Sequence, residues 1–415
     1  MGRNNMDARV LIYSHDSFGL GHLRRCRAIA HSLVGERRAM SVLILTGSPI
    51  IGSFDFRARV DFVRVPGVIK LRNGDYTSLA LHIDIEETLA IRASIVRHTA
   101  EAFDPDLFIV DKEPLGLRGE VADTLELLKG RGVPLVLGLR DVLDDPMTLH
   151  QEWERKRAIP ALRDYYDEIW VYGIPDICNP LAGIGLPVGI RNKVRFTGYL
   201  RRELPAGPAM HSPLSKITPP YVLVTPGGGG DGQEMVDWVL KAYESAPDLP
   251  FPALLVLGPF MASEDQAEFL TRCERLPNVE AITFDAHMES LLDPAVGVVA
   301  MGGYNTFCEI LSFDKRALIV PRTVPRMEQY IRASRAQDLG LSRMLLNDGV
   351  RNPADMAGAL RQLSALPPPS AHMPAGMLAG LDNVNELTDR LLHRNGRRPG
   401  EFRPSVPVAA AGAEQ

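Results

Sequence analysis

Short apolar runs separated by amphipathic stretches recur along the chain. The runs are almost continuously hydrophobic and rich in Val, Ile and Leu, which is typical of strands buried on both faces of a parallel sheet. Predicted strands are residues 8–14, 42–46, 62–65, 107–111, 135–139, 169–172, 194–200, 221–225, 253–257, 279–284, 296–300 and 317–320. Segments with helical spacing lie between many of them, notably 83–102 and 117–129. The alternation predicts an α/β fold with parallel sheets.

A proline-rich stretch interrupts this pattern once. Residues 204–220 contain five prolines and no apolar period, which predicts a linker. A strand, a glycine loop and a helix begin again directly after it. We therefore predict an N-terminal domain at residues 1–203, a C-terminal domain at 221–394 and a disordered tail at 395–415.

Composition limits the kind of protein. Of 415 residues, 45% are hydrophobic and 23% charged, which is the usual mixture of a globular protein. The net charge of −5 argues against a broad attraction to nucleic acid. No apolar run approaches the roughly 20 residues of a membrane span. We expect a cytoplasmic protein with at most peripheral contact at the inner membrane face. The four cysteines form no C-x-x-C pair, so the sequence indicates neither zinc nor a disulfide framework.

Two glycines follow the predicted strand at residues 296–300. After Gly302 and Gly303 comes Thr306-x-x-Glu309, which fits a capping box at a helix start. Glycines let a ligand approach the backbone, and the first helical turn favours an anion. This stretch predicts a phosphate or diphosphate site. A tight turn in which Glu309 only caps the helix is the alternative.

A second glycine loop follows the strand at residues 221–225. Residues 226–232 contain five glycines, more than a turn requires. Successive backbone N–H groups in such a loop form a concave site for phosphate. The predicted phosphate ligands in this loop are Gly227, Gly228, Gly229 and Gly230.

The first strand leads into Gly19-Leu20-Gly21-His22 and a helix. Arg24 stands where the dinucleotide fingerprint has its third glycine, so that fingerprint is absent. His22 at the helix start is expected to be neutral and close to an anion. We predict His22 as general base, with Asp16 and Asp111 as second choices, because Asp111 directly follows a strand. A surface histidine and solvated loop carboxylates are the alternatives.

Together these motifs resemble GT-B glycosyltransferases of family 28, which include the peptidoglycan N-acetylglucosaminyltransferase. The run that carries the resemblance extends from Phe284-Asp285 through Gly303 and Thr306-x-x-Glu309 to Glu328-Gln329. The resemblance implies a GT-B architecture with two Rossmann-like domains facing across a cleft. Gly302-Gly303-Tyr304-Asn305 departs from the family's usual serine-glycine, which leaves the donor's base and sugar open.

The resemblance also implies roles for the donor-binding residues. It implies that the glycines of both loops and Thr306 hold the donor diphosphate, that Phe284 flanks the base, and that Glu309 binds the ribose. Glu328 and Gln329 would bind the donor sugar, and Arg322 and Arg326 the leaving group. No cofactor and no metal are expected, since Asp104-Pro105-Asp106 reads as a turn before a strand.

The expected function is an inverting, metal-independent transfer of a sugar from a nucleoside diphosphate sugar, with UDP expected as the nucleotide. The acceptor is unknown, with a lipid-linked molecule or a glycan expected. Three other functions remain open. Gly-x-Gly-His followed by Arg24-Arg25-Cys26 resembles nucleotide-sugar hydrolases, and a nucleotide-sugar epimerase would share the fold. The last is a nucleotide-sugar-binding protein without catalytic activity.

Overall fold

Two parallel sheets organise the molecule. The computed structural model describes residues 8–15, 21–36, 39–70, 76–204, 214, 216–228, 230–347 and 349–394. In the described part of the first half the elements are β1 (Ala8–Ser14), α1 (Gly21–Glu36), β2 (Met40–Thr46), β3 (Val60–Arg64), β4 (Val68–Lys70), β5 (Tyr76–Ser78), α2 (Ile85–Phe103), β6 (Leu107–Asp111), α3 (Ala122–Gly130), β7 (Leu135–Arg140), α4 (Pro146–Arg155), α5 (Ala158–Asp164), β8 (Glu168–Tyr172), α6 (Val188–Arg191) and β9 (Val194–Phe196).

The first sheet has seven parallel strands in the order β3-β2-β1-β6-β7-β8-β9. All five residues of β6 and all five of β8 are buried, which explains their continuous apolar composition. In register, Ile12 of β1 pairs with Ile109 of β6, and Asp111 pairs with Gly138 of β7. The carboxyl ends of β1, β6 and β7 therefore lie side by side at one edge.

The second sheet has six parallel strands in the order β12-β11-β10-β13-β14-β15. Described elements of the second half are β10 (Tyr221–Thr225), α7 (Gln233–Ser245), β11 (Ala253–Val256), α8 (Ser263–Glu274), β12 (Val279–Ile282), α9 (Met288–Leu292), β13 (Ala295–Ala300), α10 (Tyr304–Ser312), β14 (Ala317–Ile319), α11 (Glu328–Asp338), β15 (Arg343–Met344), α12 (Pro353–Leu363) and α13 (Gly380–Arg394). The predicted α/β class with two parallel sheets is confirmed.

The structure corrects two local predictions. The predicted capping box is wrong: α10 begins at Tyr304 with Gly303 as its N-cap residue, and no side chain caps it. Thr306 and Glu309 lie inside the helix and are buried. In addition, β4 and β5 pair in an antiparallel manner, which no sequence pattern predicted. Strands of three residues have too few positions to show a period of two.

The last described helix returns to the first sheet. Val384 and Leu391 of α13 are buried in the apolar cluster that contains β1 and α1, and Asn385 donates to Ser32 of α1 at 2.9 Å. The predicted boundaries at 203 and 394 remain predictions, and most of the predicted linker and the whole predicted tail lie outside the described residues. Of the helices that the structure describes, none is both long and apolar enough to span a bilayer.

Candidate functional site

A cavity of about 220 Å³ lies where the carboxyl ends of the two sheets face each other. Loops after β10, β11, β12 and β13 form one wall, while the start of α1 and the end of β7 form the other. Predicted site residues that line it are His22, Gly227, Gly228, Phe284, Gly303, Thr306, Glu309, Arg322, Glu328 and Gln329. The structure therefore brings candidates from both halves of the chain to one place.

Some predicted residues are elsewhere. Asp16 and Gly229 lie outside the described residues. Gly302, Gly230, Arg326 and Asp111 are described but do not line the cavity. The backbone requires glycine at position 302, because its φ is +77° and a Cβ there would lie 2.7 Å from the side chain of Ile319.

The side chain of His22 contacts the buried side chain of Asp111. The Nδ1 atom of His22 makes a short contact with Oδ2 of Asp111. Arg25, one turn further along α1, donates to Oδ1 of Asp111 at 2.8 and 2.6 Å and to Oδ2 at 2.7 Å. Asp111 is thus held as a carboxylate, and the adjacent ends of β1 and β6 bring it under the histidine. These contacts allow Asp111 to orient the ring of His22.

The charge states follow from burial and these contacts. Burial lowers the pKa of His22 to about 4, against the opposing effect of Asp111. Burial alone would raise the pKa of Asp111, but Arg25 and His22 hold it below its usual value. At neutral pH the pair is a carboxylate and a neutral imidazole. An ionised carboxylate accepts only, so Nδ1–H donates to Asp111 and Nε2 is left with its lone pair.

The backbone in and around the glycine loop after β10 has geometry that favours glycine. Gly227 has φ +85°, and its N–H donates to Thr225 Oγ1 at 3.1 Å. The loop after β11 approaches so closely that a Cβ on Gly258 would lie 2.7 Å from the backbone of Gly227 and Gly228. Gly303 lies opposite at the N-terminus of α10. Two backbone segments that suit an anion therefore face the cavity.

Glu309 is completely buried at the cavity wall, beneath an arginine from the other half of the chain. The guanidinium of Arg24 forms a short ion pair with Oε1 of Glu309, and it also donates to Glu289 at 3.2 Å. Burial raises the pKa of Glu309, and Arg24 opposes that rise. In this state Arg24 covers the carboxylate that the family resemblance assigns to the ribose.

The two arginines predicted for the leaving group both have carboxylate partners. Arg322 lines the cavity, with Nη2 2.6 Å from Glu328 and Nε 2.8 Å from Asp231. Arg326 instead reaches the first half of the chain, 3.3 Å from Asp144 and 2.8 Å from Glu152. Arg326 thus joins the two halves rather than facing the cavity.

An aromatic pair closes one end of the cavity. The rings of Phe284 and Phe54 are perpendicular, with centroids 6.4 Å apart. Phe284 follows β12, and Phe54 comes from the loop after β2. An edge-to-face pair at this place can accept a planar group such as a base.

Sequence reasoning did not single out several residues on the cavity wall as ligands. They are Arg24, Arg25, Phe54, Arg140, Asp231 and Asn305. A signal existed for Arg24 and Arg25, which lie two and three positions after His22, and for Arg140, which ends a strand. Among the described residues no group of three or more His, Cys, Asp or Glu side chains is placed to hold a metal ion.

Comparison with known proteins agrees with this geometry. Residues 223–376 match the sequence model of the glycosyltransferase family 28 C-terminal domain. The second half of this chain is therefore similar to the C-terminal domain of family 28 glycosyltransferases. No curated protein sequence matches the chain significantly.

Solved structures extend the likeness to the whole GT-B fold. The calicheamicin glycosyltransferase CalG4 matches with a TM-score of 0.59 at 18% identity, covering 94% of this chain and 99% of the other. The glycosyltransferase VinC, solved in complex with DTDP, matches with a TM-score of 0.55 at 17% identity and coverages of 94% and 98%. MurG from Acinetobacter baumannii matches at 0.52 and 12%, with coverages of 93% and 99%. The predicted GT-B architecture is confirmed.

Proposed function

We propose that this GT-B protein transfers a sugar from a nucleoside diphosphate sugar to an acceptor hydroxyl or amine, with inversion and without a metal ion. One observation supports the proposal most strongly. The neutral His22, oriented by Asp111, shares a cavity with two glycine segments and with the acid–amide pair Glu328 and Gln329. This arrangement supports His22 as the general base, opposite the residues that suit a donor.

The donor would bind along the wall formed by the second sheet. The N–H groups of Gly228 and Gly303 are suited to the diphosphate, together with the hydroxyl of Thr306, whereas Gly227, whose N–H donates to Thr225, would contribute through the shape of the loop. Both oxygens of Glu309 could accept from the two ribose hydroxyls, and the base would lie at Phe284. We propose a UDP-sugar as donor, with Glu328 and Gln329 binding the hydroxyls of a hexose.

The chemistry needs one proton transfer and one bond exchange at the anomeric carbon. The acceptor oxygen or nitrogen attacks that carbon from the face opposite the diphosphate, and His22 Nε2 takes its proton. The bond from the carbon to the diphosphate oxygen breaks, and the nucleoside diphosphate leaves with the electron pair. Preorganised N–H groups stabilise the charge on the leaving diphosphate. Asp111 stabilises the imidazolium that forms.

Product analysis tests the proposal against its alternatives. The full chain is incubated with UDP-, dTDP- and GDP-sugars and a mixture of glycan and lipid-linked acceptors, with and without EDTA. We expect a glycosylated acceptor of inverted anomeric configuration, equally in both buffers. Free sugar would indicate a hydrolase, and an altered nucleotide sugar an epimerase. Binding without any turnover would indicate a non-catalytic binding protein.

Removing the charge of Arg24 is expected to increase the affinity for the ligand rather than lower it. Since Arg24 occupies the carboxylate of Glu309, we expect Arg24→Gln to strengthen the binding of a nucleoside diphosphate. A hydrogen bond to a charged group contributes about 1.5–3 kcal/mol, so the gain is about tenfold or more. Titration calorimetry measures it. Arg27→Gln, one turn further along α1 and outside this cavity, is the control and should leave the affinity unchanged. Weaker binding in Arg24→Gln would mean that Arg24 contacts the ligand instead.

A further inference from the structure

Arg140 is a cation on the cavity wall that forms no close ion pair with a described residue. It is the last residue of β7, and its guanidinium makes no hydrogen bond or ion pair with any described residue. Its Nε atom is buried and has no acceptor. Burial lowers its pKa to about 10 against the opposing effect of the Glu328 carboxylate, so Arg140 keeps its charge at neutral pH. A half-buried guanidinium whose donors lack acceptors is unfavourable, and an anionic ligand would supply those acceptors.

A second cation lies at the end of the neighbouring strand. Lys112 follows β6, and its N–H donates to the carbonyl of Gly138 in β7 at 2.8 Å. Its ammonium is 3.7 Å from Glu113, but Lys156 approaches the same carboxylate more closely, at 2.9 Å. Burial lowers the pKa of Lys112 to about 8, and the positive charge of Arg140 acts in the same direction. One carboxylate is therefore shared by two ammonium groups beside an unpaired arginine.

The other cations of the region are already compensated. Arg322 pairs with Glu328 and Asp231, and Arg326 with Asp144 and Glu152. Arg140 is left as the cation that faces the cavity with free donors. His15 directly follows β1, and its buried Nδ1 atom has no hydrogen-bond partner among the described residues. Among the described residues at the carboxyl ends of these three strands, the carboxylates of Asp111, Glu113 and Asp141 each have a cationic partner.

We propose that Arg140, with Lys112 beside it, forms an anion-binding subsite that takes a phosphate or carboxylate group of a substrate. The guanidinium offers a planar fork of donors that matches such a group. The subsite rests on the proposed function in one respect, that the cavity is where substrates bind. It adds that an anionic group is recognised from the first sheet, whereas the two glycine segments belong to the second.

Two sources of this anion are chemically equivalent. The diphosphate of the donor could reach across the cavity, or the acceptor could carry its own phosphate or carboxylate near the attacking group. The position of Arg140 and Lys112 on strands of the first sheet favours the acceptor. Because the glycine segments already offer backbone donors on the opposite wall, the donor does not require this subsite.

Calorimetric titration of the full chain with inorganic phosphate tests the subsite. The titration is made on the wild type, Arg140→Met, Arg140→Lys and a control, Arg131→Met, whose exposed side chain pairs with Glu101. We expect Arg140→Met to weaken phosphate binding by about tenfold or more. Arg140→Lys should restore part of it, and the control should equal the wild type. Circular dichroism and the unfolding temperature establish that each variant is folded.

Repeating the titration with saturating UDP separates the sources. Undiminished phosphate binding supports an acceptor anion, while competition with UDP, together with weaker UDP binding in Arg140→Met, supports the donor diphosphate. The subsite is overturned if phosphate does not bind the wild type at 10 mM, a concentration about 10-fold above a millimolar Kd, or binds all variants equally. If the wild type binds phosphate but not UDP, the proposed donor site is contradicted, whereas the anion-binding subsite is supported.

Discussion

Replacing His22 with alanine is expected to lower kcat by about 10²- to 10⁴-fold, the usual contribution of a general base. The affinity for the nucleoside diphosphate should stay within about twofold, because the donor ligands lie on the opposite wall. Initial rates at saturating donor and a parallel titration measure both quantities. His98→Ala, an exposed histidine on α2, is the matched control and should leave both unchanged. Full activity in His22→Ala would remove His22 as the base.

The pH dependence of the wild type follows from the same residue. With its pKa near 4, His22 stays unprotonated and able to accept a proton down to about that pH. An unperturbed histidine would instead lose its basic form below about 6.5. We therefore expect kcat/KM to show no histidine-dependent loss between pH 7 and pH 5. A clear fall centred near pH 6.5 would contradict the low pKa.

The second large effect concerns the ion pair that joins the two halves of the chain. Arg332 of α11 donates from Nε and Nη2 to the two oxygens of Asp141 at 2.7 and 2.6 Å, and from Nη1 to the carbonyl of Gly302 at 2.8 Å. Both side chains are almost completely buried. Asp141 also accepts from the hydroxyl of Tyr199 at 2.6 Å.

Arg332→Met is therefore expected to lower the free energy of unfolding by about 3–5 kcal/mol, the cost of leaving a buried charge unpaired. The double variant Asp141→Leu/Arg332→Met should be less destabilised than Arg332→Met alone, since no charge remains. Urea unfolding measures both effects. Arg335→Met, on an exposed face of the same helix, is the control and should change stability by less than about 0.5 kcal/mol. If Arg332→Met were as stable as Arg335→Met, the ion pair between Arg332 and Asp141 would not stabilise the fold.

Strong local patterns made much of the fold predictable. The strands Leu107–Asp111 and Tyr221–Thr225 have the predicted limits, because a strand buried on both faces needs an unbroken apolar run. The glycine loop after β10 and His22 at the start of α1 were visible for the same reason. Each feature is contained within a few consecutive residues.

What the sequence did not reveal depends on pairing between distant residues. The partner of His22 is 89 positions away, and Arg326 reaches an aspartate 182 positions away. No local period links such residues, so the sequence predicts Asp111 and Arg326 as separate candidates and does not predict these contacts. The burial of Glu309 beneath Arg24 depends likewise on how the two sheets face each other. The sequence predicts the start of α10 too late, because Thr306-x-x-Glu309 has the spacing of a capping box although both residues lie inside the helix.

Binding of nucleoside diphosphates tests most directly whether the cavity is a donor site. The unfolding temperature is measured with UDP, dTDP, GDP, CDP and ADP for the wild type, Glu309→Gln and the exposed control Glu268→Gln. A ligand that binds only the folded state stabilises it by about 2.7 kcal/mol at 100 times its Kd. We predict that one diphosphate, expected to be UDP, stabilises the wild type and the control but not Glu309→Gln. Stabilisation by none of the five at millimolar concentration, or equal stabilisation of all three proteins, would contradict a donor site at Glu309.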